Sequence, residues 1–156
     1  MMLRKMRARM GYLAARKLMR WPSAVQQPKL WHWMEGQFSR LAALGDTRAQ
    51  SYYGHILLFR GQGYGARKEG VRLLRLAAES GDAKAAYQMG VVSLSEDATH
   101  GPDGTEAARW WALAVDAGHP LAAARLAQLY AAGGHGLIAD KAQAERYKAS
   151  ATSLGL

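Results

Sequence analysis

Gly45, Gly81, Gly118 and Gly155 stand 36, 37 and 37 residues apart, and the residues around them recur in step. Alanines precede each one: Ala42 and Ala43, Ala77 and Ala78, Ala114 and Ala117, then Ala149 and Ala151. Asp46, Asp82 and His119 follow the first three glycines. Further on, Ala49 with Gly54, Ala85 with Gly90, and Ala122 with Ala127 keep one five-residue spacing. A period in the thirties is the signature of stacked helical units, none of which buries its apolar face alone. A glycine after a helical run closes the helix in the left-handed conformation. The carboxylate after it favours the free N–H groups of the next helix. The pattern predicts an all-α fold, an α-solenoid of antiparallel helix pairs.

Helical spacing of apolar residues places the elements. Leu3, Met6, Met10, Leu13, Ala14 and Trp21 form one stripe beside Lys5, Arg9, Arg16 and Arg20, which predicts an amphipathic basic helix over 2–20. Pro22 ends that helix, and a linker runs from Ser23 to Pro28. A second helix, Lys29–Leu44, carries Leu30, Trp31, Met34, Phe38 and Leu41. Three pairs follow: Thr47–Arg60 with Arg67–Ser80, Ala83–Leu94 with Thr105–Ala117, and Pro120–Ala132 with Lys141–Ser153. The domain layout expected is a basic N-terminal helix and linker, 1–28, then an array over 29–156. The array comprises a partial unit, 29–45, and units 46–81, 82–118 and 119–155. Gly54 and Gly90 sit inside helices at a cost of about 1 kcal/mol each. In register, they predict close approach between the helices of a pair.

Charge is unevenly placed. Residues 1–29 hold eight Lys and Arg and no acid, whereas the rest holds 13 basic and 12 acidic side chains. The basic excess therefore belongs to the N-terminal segment. Its apolar runs are too short for a secretory signal, and no segment approaches the ~20 apolar residues of a membrane span. With no cysteine in the chain, a disulfide framework and a thiolate metal site are excluded, and a cytoplasmic location is expected, with peripheral contact at the inner membrane surface as its variant.

The third unit reads Ala122, Leu126-Ala127, Tyr130, Gly134-His-Gly136-Leu-Ile-Ala-Asp140, Ala144, Tyr147 and closes at Gly155. This resembles the Sel1-like repeat, a relative of the tetratricopeptide repeat. The second unit matches through Ala85, Met89-Gly90, Ala107, Trp110-Trp111, Ala114 and Gly118. The first matches through Ala49, Tyr53-Gly54, Gly61-Gln-Gly63, Ala77-Ala78 and Gly81. Two departures stand out: the long polar loop Ser95–Gly104 replaces a Gly-x-Gly turn, and Gly70 stands where the family has Ala. The resemblance implies a protein-interaction scaffold and carries over no catalytic residues.

The residues themselves offer little chemistry. Gly61-Gln-Gly-Tyr-Gly65 lacks the strand that a phosphate-cradling loop follows, so it is expected to be an interhelical turn. His32, His55, His100, His119 and His135 fit no metal-ligand spacing. No nucleophile elbow is present, and Glu96, Asp97 and Asp103 are expected to form a solvated surface. No catalytic residue, metal or cofactor is expected, the chain is read as not an enzyme, and no small-molecule substrate is expected. Of the adjacent Trp110 and Trp111, about 100° apart on a helix, one is expected in the core and the other partly exposed.

Binding is the function left. If Ala49, Tyr53 and Leu57 face the core, Arg48, Tyr52 and His55 fall on the neighbouring stripe, in register with Lys84 and Gln88 and with Arg125 and Gln128. These seven are the candidate partner-binding groove, whose mix of polar, basic and aromatic groups suits a protein or peptide. Lys5, Arg9, Arg16 and Arg20 are the candidate contacts to an anionic surface. Two roles stand open for the N-terminal helix: its Leu/Met stripe caps the array, as a terminal element must, or it docks on an anionic membrane, with nucleic acid ranked last.

Overall fold

The computed structural model describes residues 1–97 and 100–156. Ala98 and Thr99, inside the Ser95–Gly104 loop, lie outside the described residues. The described residues form the helices α1 (Met2–Leu18), α2 (Pro22–Gln26), α3 (Pro28–Ala43), α4 (Thr47–Arg60), α5 (Gly63–Glu79), α6 (Ala83–Ser93), α7 (Gly104–Asp116), α8 (Pro120–Ala132) and α9 (Lys141–Ser153). They contain no strand, only one isolated bridge between Gly134 and Leu137. The chain divides into two compact units, Met1–Leu73 and Leu74–Leu156, with the division inside α5.

The periodic glycines set the turns by one repeated device. Gly45, Gly81, Gly118 and Gly155 all have positive φ, between 80° and 103°. At the first, the Gly45 N–H donates to the Ala42 carbonyl and the Asp46 N–H to the Leu41 carbonyl. That pair of bonds satisfies two of the helix's last carbonyls, and it recurs at the other three glycines. The residue after the glycine then caps the next helix. Asp46 Oδ1 accepts from the Ala49 N–H at 3.0 Å, Asp82 Oδ1 from Ala85 at 2.8 Å, and His119 Nδ1 from Ala122 at 3.3 Å. Asp103 and Asp140 cap α7 and α9 likewise. Each of the first three turns thus ends one helix and starts another within three residues.

In the first unit the N-terminal segment departs from its expected layout. Pro22 and Pro28 do not bound an irregular linker; each opens a helix, α2 and α3, from a first position where its missing N–H costs nothing. Pro22 does stop α1, because Trp21 is held extended at φ −104° and ψ 109°. The larger correction concerns how α1 packs. Its buried residues are Ala8, Tyr12 and Ala15, not the Leu/Met stripe. They join Met34, Phe38, Leu41 and Ala42 of α3 in one core. Small residues let the two helices approach closely, and Tyr12 fills the space between them.

The sequence places the α5 start at Arg67, but the helix begins at Gly63, so the connection from α4 is only Gly61 and Gln62. Gly70, the departure from Ala, has a structural reason. A Cβ there would lie 2.9 Å from both the Gly54 carbonyl oxygen and the Leu58 nitrogen. Close approach in this pair therefore depends on Gly70 facing the backbone at Gly54.

In the second unit α7 packs against both α6 and α8. A helix with neighbours on two sides buries two faces, which is why both tryptophans are inside: Trp110 is 0% and Trp111 3% exposed. The expectation that one stands partly exposed is thereby corrected. Trp111 lies directly over Gly90, its ring filling the space that a Cβ would need, and its Nε1 donates to the Tyr87 carbonyl at 3.0 Å. The glycine in the α6 interior thus accommodates an indole, not another backbone. Gly90→Ala should lower stability by about 2 kcal/mol despite alanine's better helix propensity. Urea unfolding checks this, and in Gly90→Ala/Trp111→Leu the added cost of the alanine should largely vanish. Equal costs in both backgrounds would show that the two do not touch.

The long loop before α7 is tied to the next turn. The Asp103 N–H donates to Ser93 O and the Gly104 N–H to His135 O, both at 2.7 Å. Gly104 has no room for a Cβ against the Gly134 carbonyl, 2.5 Å away. His135 and Gly136, both at positive φ, make the tight turn that presents that carbonyl.

Candidate functional site

α1 and α3 run antiparallel: Arg9 lies by Asp46 beyond the end of α3, while Tyr12 meets Phe38 one and a half turns back. Because α3 turns sharply into α4 at Gly45, the side of α1 overhangs the start of α4. The result is a cleft of about 610 Å³. Its charged rim is Lys5 and Arg9 from α1, Asp46 from the turn and Arg48 from α4; its apolar lining includes Leu13, Leu41 and Leu44. Asp46 Oδ1 is engaged as the α4 cap and its other oxygen lies 3.9 Å from Arg9. Three cations against one committed carboxylate leave the cleft positive.

Tyr12 also lines this cleft, and its hydroxyl is buried without a hydrogen bond of good geometry. Burial pushes the phenol above its usual range, against the nearby Arg16 guanidinium, which draws it down.

The structure regroups the residues singled out from sequence. Arg48, taken for the groove, and Lys5 and Arg9, taken for an anionic surface, come together here. Tyr52 does not remain open to a partner as expected. Its ring packs edge-on against Phe38 at 5.2 Å and Tyr12 at 6.0 Å, under the Arg16 guanidinium at 5.2 Å. The reason is α1, which occupies the stripe of α4 beside its core face. Arg16 is accordingly a packing cation, whereas Arg20 is exposed beyond the end of α1. His55 is half-buried, with Nδ1 2.7 Å from Ser51 O and its ring stacked on exposed Phe59.

The other four groove candidates belong to the second unit. Lys84 and Gln88 lie one turn apart on α6, and Arg125 and Gln128 lie on α8; all but half-buried Gln88 are exposed. Sequence reasoning passed over the aromatic beside them. Tyr87 stacks on His119 with ring centroids 4.6 Å apart and planes 6° from parallel. Burial, then the charge of Lys84, lowers the His119 pKa.

No family model and no curated protein matches the chain. Solved structures do. A protective antigen of uropathogenic Escherichia coli strains, displaying an SLR fold, matches 79% of this chain with a TM-score of 0.68 and 19% identity. The chain spans 26% of that antigen's length. A Sel1 repeat protein from Oxalobacter formigenes matches over 76% of this chain and 88% of its own, with a TM-score of 0.63 and 28% identity. The fold is that of Sel1-like repeat proteins.

Set beside the Sel1-like repeat fold, the chain carries one signal that its sequence showed and the period hid. Ala8, Tyr12 and Ala15 of α1 have the spacing of Ala49, Tyr53 and Ile56 in α4 and of Ala85, Met89 and Val92 in α6, all buried. Ala8 precedes Ala49 by 41 residues instead of 36 or 37, because α2 is inserted between α1 and α3. The α1/α3 pair thus has the internal spacing of a repeat, shifted out of register.

His119 should also make the stability of the second unit pH-dependent. Its folded pKa lies below the ordinary value of about 6.5, so the unfolded chain takes up a proton first as pH falls. The stability it contributes is complete above about pH 6.5 and is lost as pH drops through the lower folded value. Protonation also removes the Nδ1 acceptor that caps α8. His119→Asn keeps a capping oxygen without the titration. In urea melts from about pH 7.5 down to 5, the unmodified chain should lose stability relative to His119→Asn. A gap that stays constant would assign the effect elsewhere.

Proposed function

We propose that the chain is a non-enzymatic scaffold that binds a protein partner, taking a segment with an acidic and an apolar side chain into the cleft between α1 and the α3–α4 turn. The fold is generally one of protein-interaction scaffolds. The observation that carries the finer reading is the convergence of Lys5, Arg9 and Arg48 over the leucine lining. A carboxylate entering there meets three cations, while its neighbour covers Leu13, Leu41 and Leu44. Within this reading the protein works in the cytoplasm without cofactor or chemistry of its own. The exposed cations of α6 and α8 give the second unit a contact surface of its own.

Selection of a random peptide library on the full chain tests this. Recovered peptides should carry Asp or Glu beside an aliphatic or aromatic residue. Their affinity should fall about tenfold or more for Lys5→Glu/Arg48→Glu, each substitution being worth about a kcal/mol at a partly exposed site. Both side chains lie on exposed positions, so the variant should keep its helical spectrum. Peptides without acids, or peptides indifferent to the double variant, would overturn the assignment.

A further inference from the structure

The α1 helix is apolar on two sides, and only one is used. Ala8, Tyr12 and Ala15 face α3. On the opposite side Leu3, Met6, Met10 and Leu13 are 76%, 56%, 70% and 61% exposed. At about 100° per residue these four fall within roughly 80° of arc, a stripe some three turns long. Lys5 and Arg9 border it on one edge and Arg7 on the other, while Lys17 continues it one turn on. The helix contains no acidic residue. Among the described residues no helix is long and apolar enough to cross a membrane.

We propose that this outward face of α1 docks on an anionic lipid surface. Four large, flexible apolar side chains in a row are poorly placed in water but suit the boundary between headgroups and acyl chains. The bordering Lys and Arg, with apolar stems and charged tips, reach the headgroup phosphates from both edges. Charge selects lipid over the other occupants. A second copy of the chain would set a second acid-free, basic helix against this one. A nucleic acid would satisfy the cations and leave the Leu/Met stripe exposed. The inner face of α1 is already folded onto α3, so docking demands no coil-to-helix ordering. The lipid face shares Leu13, Lys5 and Arg9 with the rim of the peptide cleft, but Leu3, Met6 and Met10 lie outside it, so substitutions at those three read the lipid face alone.

Co-sedimentation of the full chain with vesicles tests the proposal, comparing equimolar phosphatidylcholine and phosphatidylglycerol with phosphatidylcholine alone. Binding should require the anionic lipid and weaken as salt rises. Leu3→Gln/Met6→Gln/Met10→Gln should reduce partitioning about tenfold or more, and Arg7→Gln/Lys17→Gln should reduce it severalfold. Both variants leave the buried face and the peptide cleft intact, so their helical circular dichroism should match the parent. The parent's spectrum should not gain helix on adding vesicles. Three results would overturn the proposal: no vesicle binding, vesicle binding unaffected by the stripe variant, or tighter binding to a duplex DNA that the stripe variant retains. Lipid-free dimerisation lost in the stripe variant would overturn it as well, assigning the face to a second copy.

Discussion

Replacing Trp110 with alanine should lower the unfolding free energy by about 3–5 kcal/mol, the range for removing a buried large aromatic. Trp110 is among the largest fully buried side chains, at 0% exposure. Its Nε1 donates to Glu106 Oε1 at 3.0 Å, and the Arg109 guanidinium lies 4.3 Å from the ring centroid. Alanine would leave a cavity that the flanking helices cannot collapse, because α7 is held between α6 and α8. It would also strip a donor from Glu106 and a ring from Arg109. Trp110→Phe should recover most of the loss, since the volume matters more than the indole N–H. Urea denaturation followed by circular dichroism gives the comparison, with Trp33→Ala as the control. Trp33 is 43% exposed, and its loss should stay within about 0.5 kcal/mol. A drop below about 1 kcal/mol for Trp110→Ala would mean that α7 is not packed on two sides.

That two-sided packing shows where the sequence stops informing the structure. The repeat turns were legible because they rest on local chemistry: a glycine at positive φ, then an Asp or His whose side chain caps three residues on. Such constraints act over six residues and print themselves on the chain. Which face of a helix meets which neighbour is not local. Trp110 and Trp111 could not be sorted without knowing that α7 has two partners. Leu3, Met6 and Met10 dominate the hydrophobic pattern of α1, so the pattern pointed to the wrong face. The packing used Ala8 and Ala15, whose small apolar area carries little weight in such patterns but permits close helix approach. The cleft was hidden for the same reason. Arg48 and Tyr52 belong to one stripe of α4, yet α1 covers the second and leaves the first on the rim. Lys5 and Arg9 reach Arg48 only because α1 folds back across α3.

If α1 is part of the core, removing it should damage the first unit severely. Deleting residues 1–20 uncovers the faces of Met34, Phe38, Leu41 and Ala42 that Ala8, Tyr12 and Ala15 contact, and takes the edge-on partner from Phe38 and Tyr52. Burial of Tyr12 alone is worth about 3–5 kcal/mol by analogy with other aromatic truncations, a large share of a domain's 5–15 kcal/mol. The truncated chain should therefore lose helical signal within residues 28–73, become protease-sensitive there, and aggregate through the uncovered aromatics. Two point variants keep the test interpretable. Tyr12→Ala should reproduce most of the loss. Tyr12→Phe should cost less than about 1 kcal/mol, because the hydroxyl it removes is buried without a well-formed hydrogen bond. Charge reversal separates packing from surface roles among the basic residues. Arg20→Glu, beyond the helix, should leave the urea midpoint unchanged, whereas Arg16→Glu removes the cation over Tyr52 and should lower it by about 1 kcal/mol. A truncated chain that melts like the parent would separate α1 from the core and make it an appendage. The cleft between α1 and α4 would then have no fixed wall, and the peptide-binding reading would fall with it.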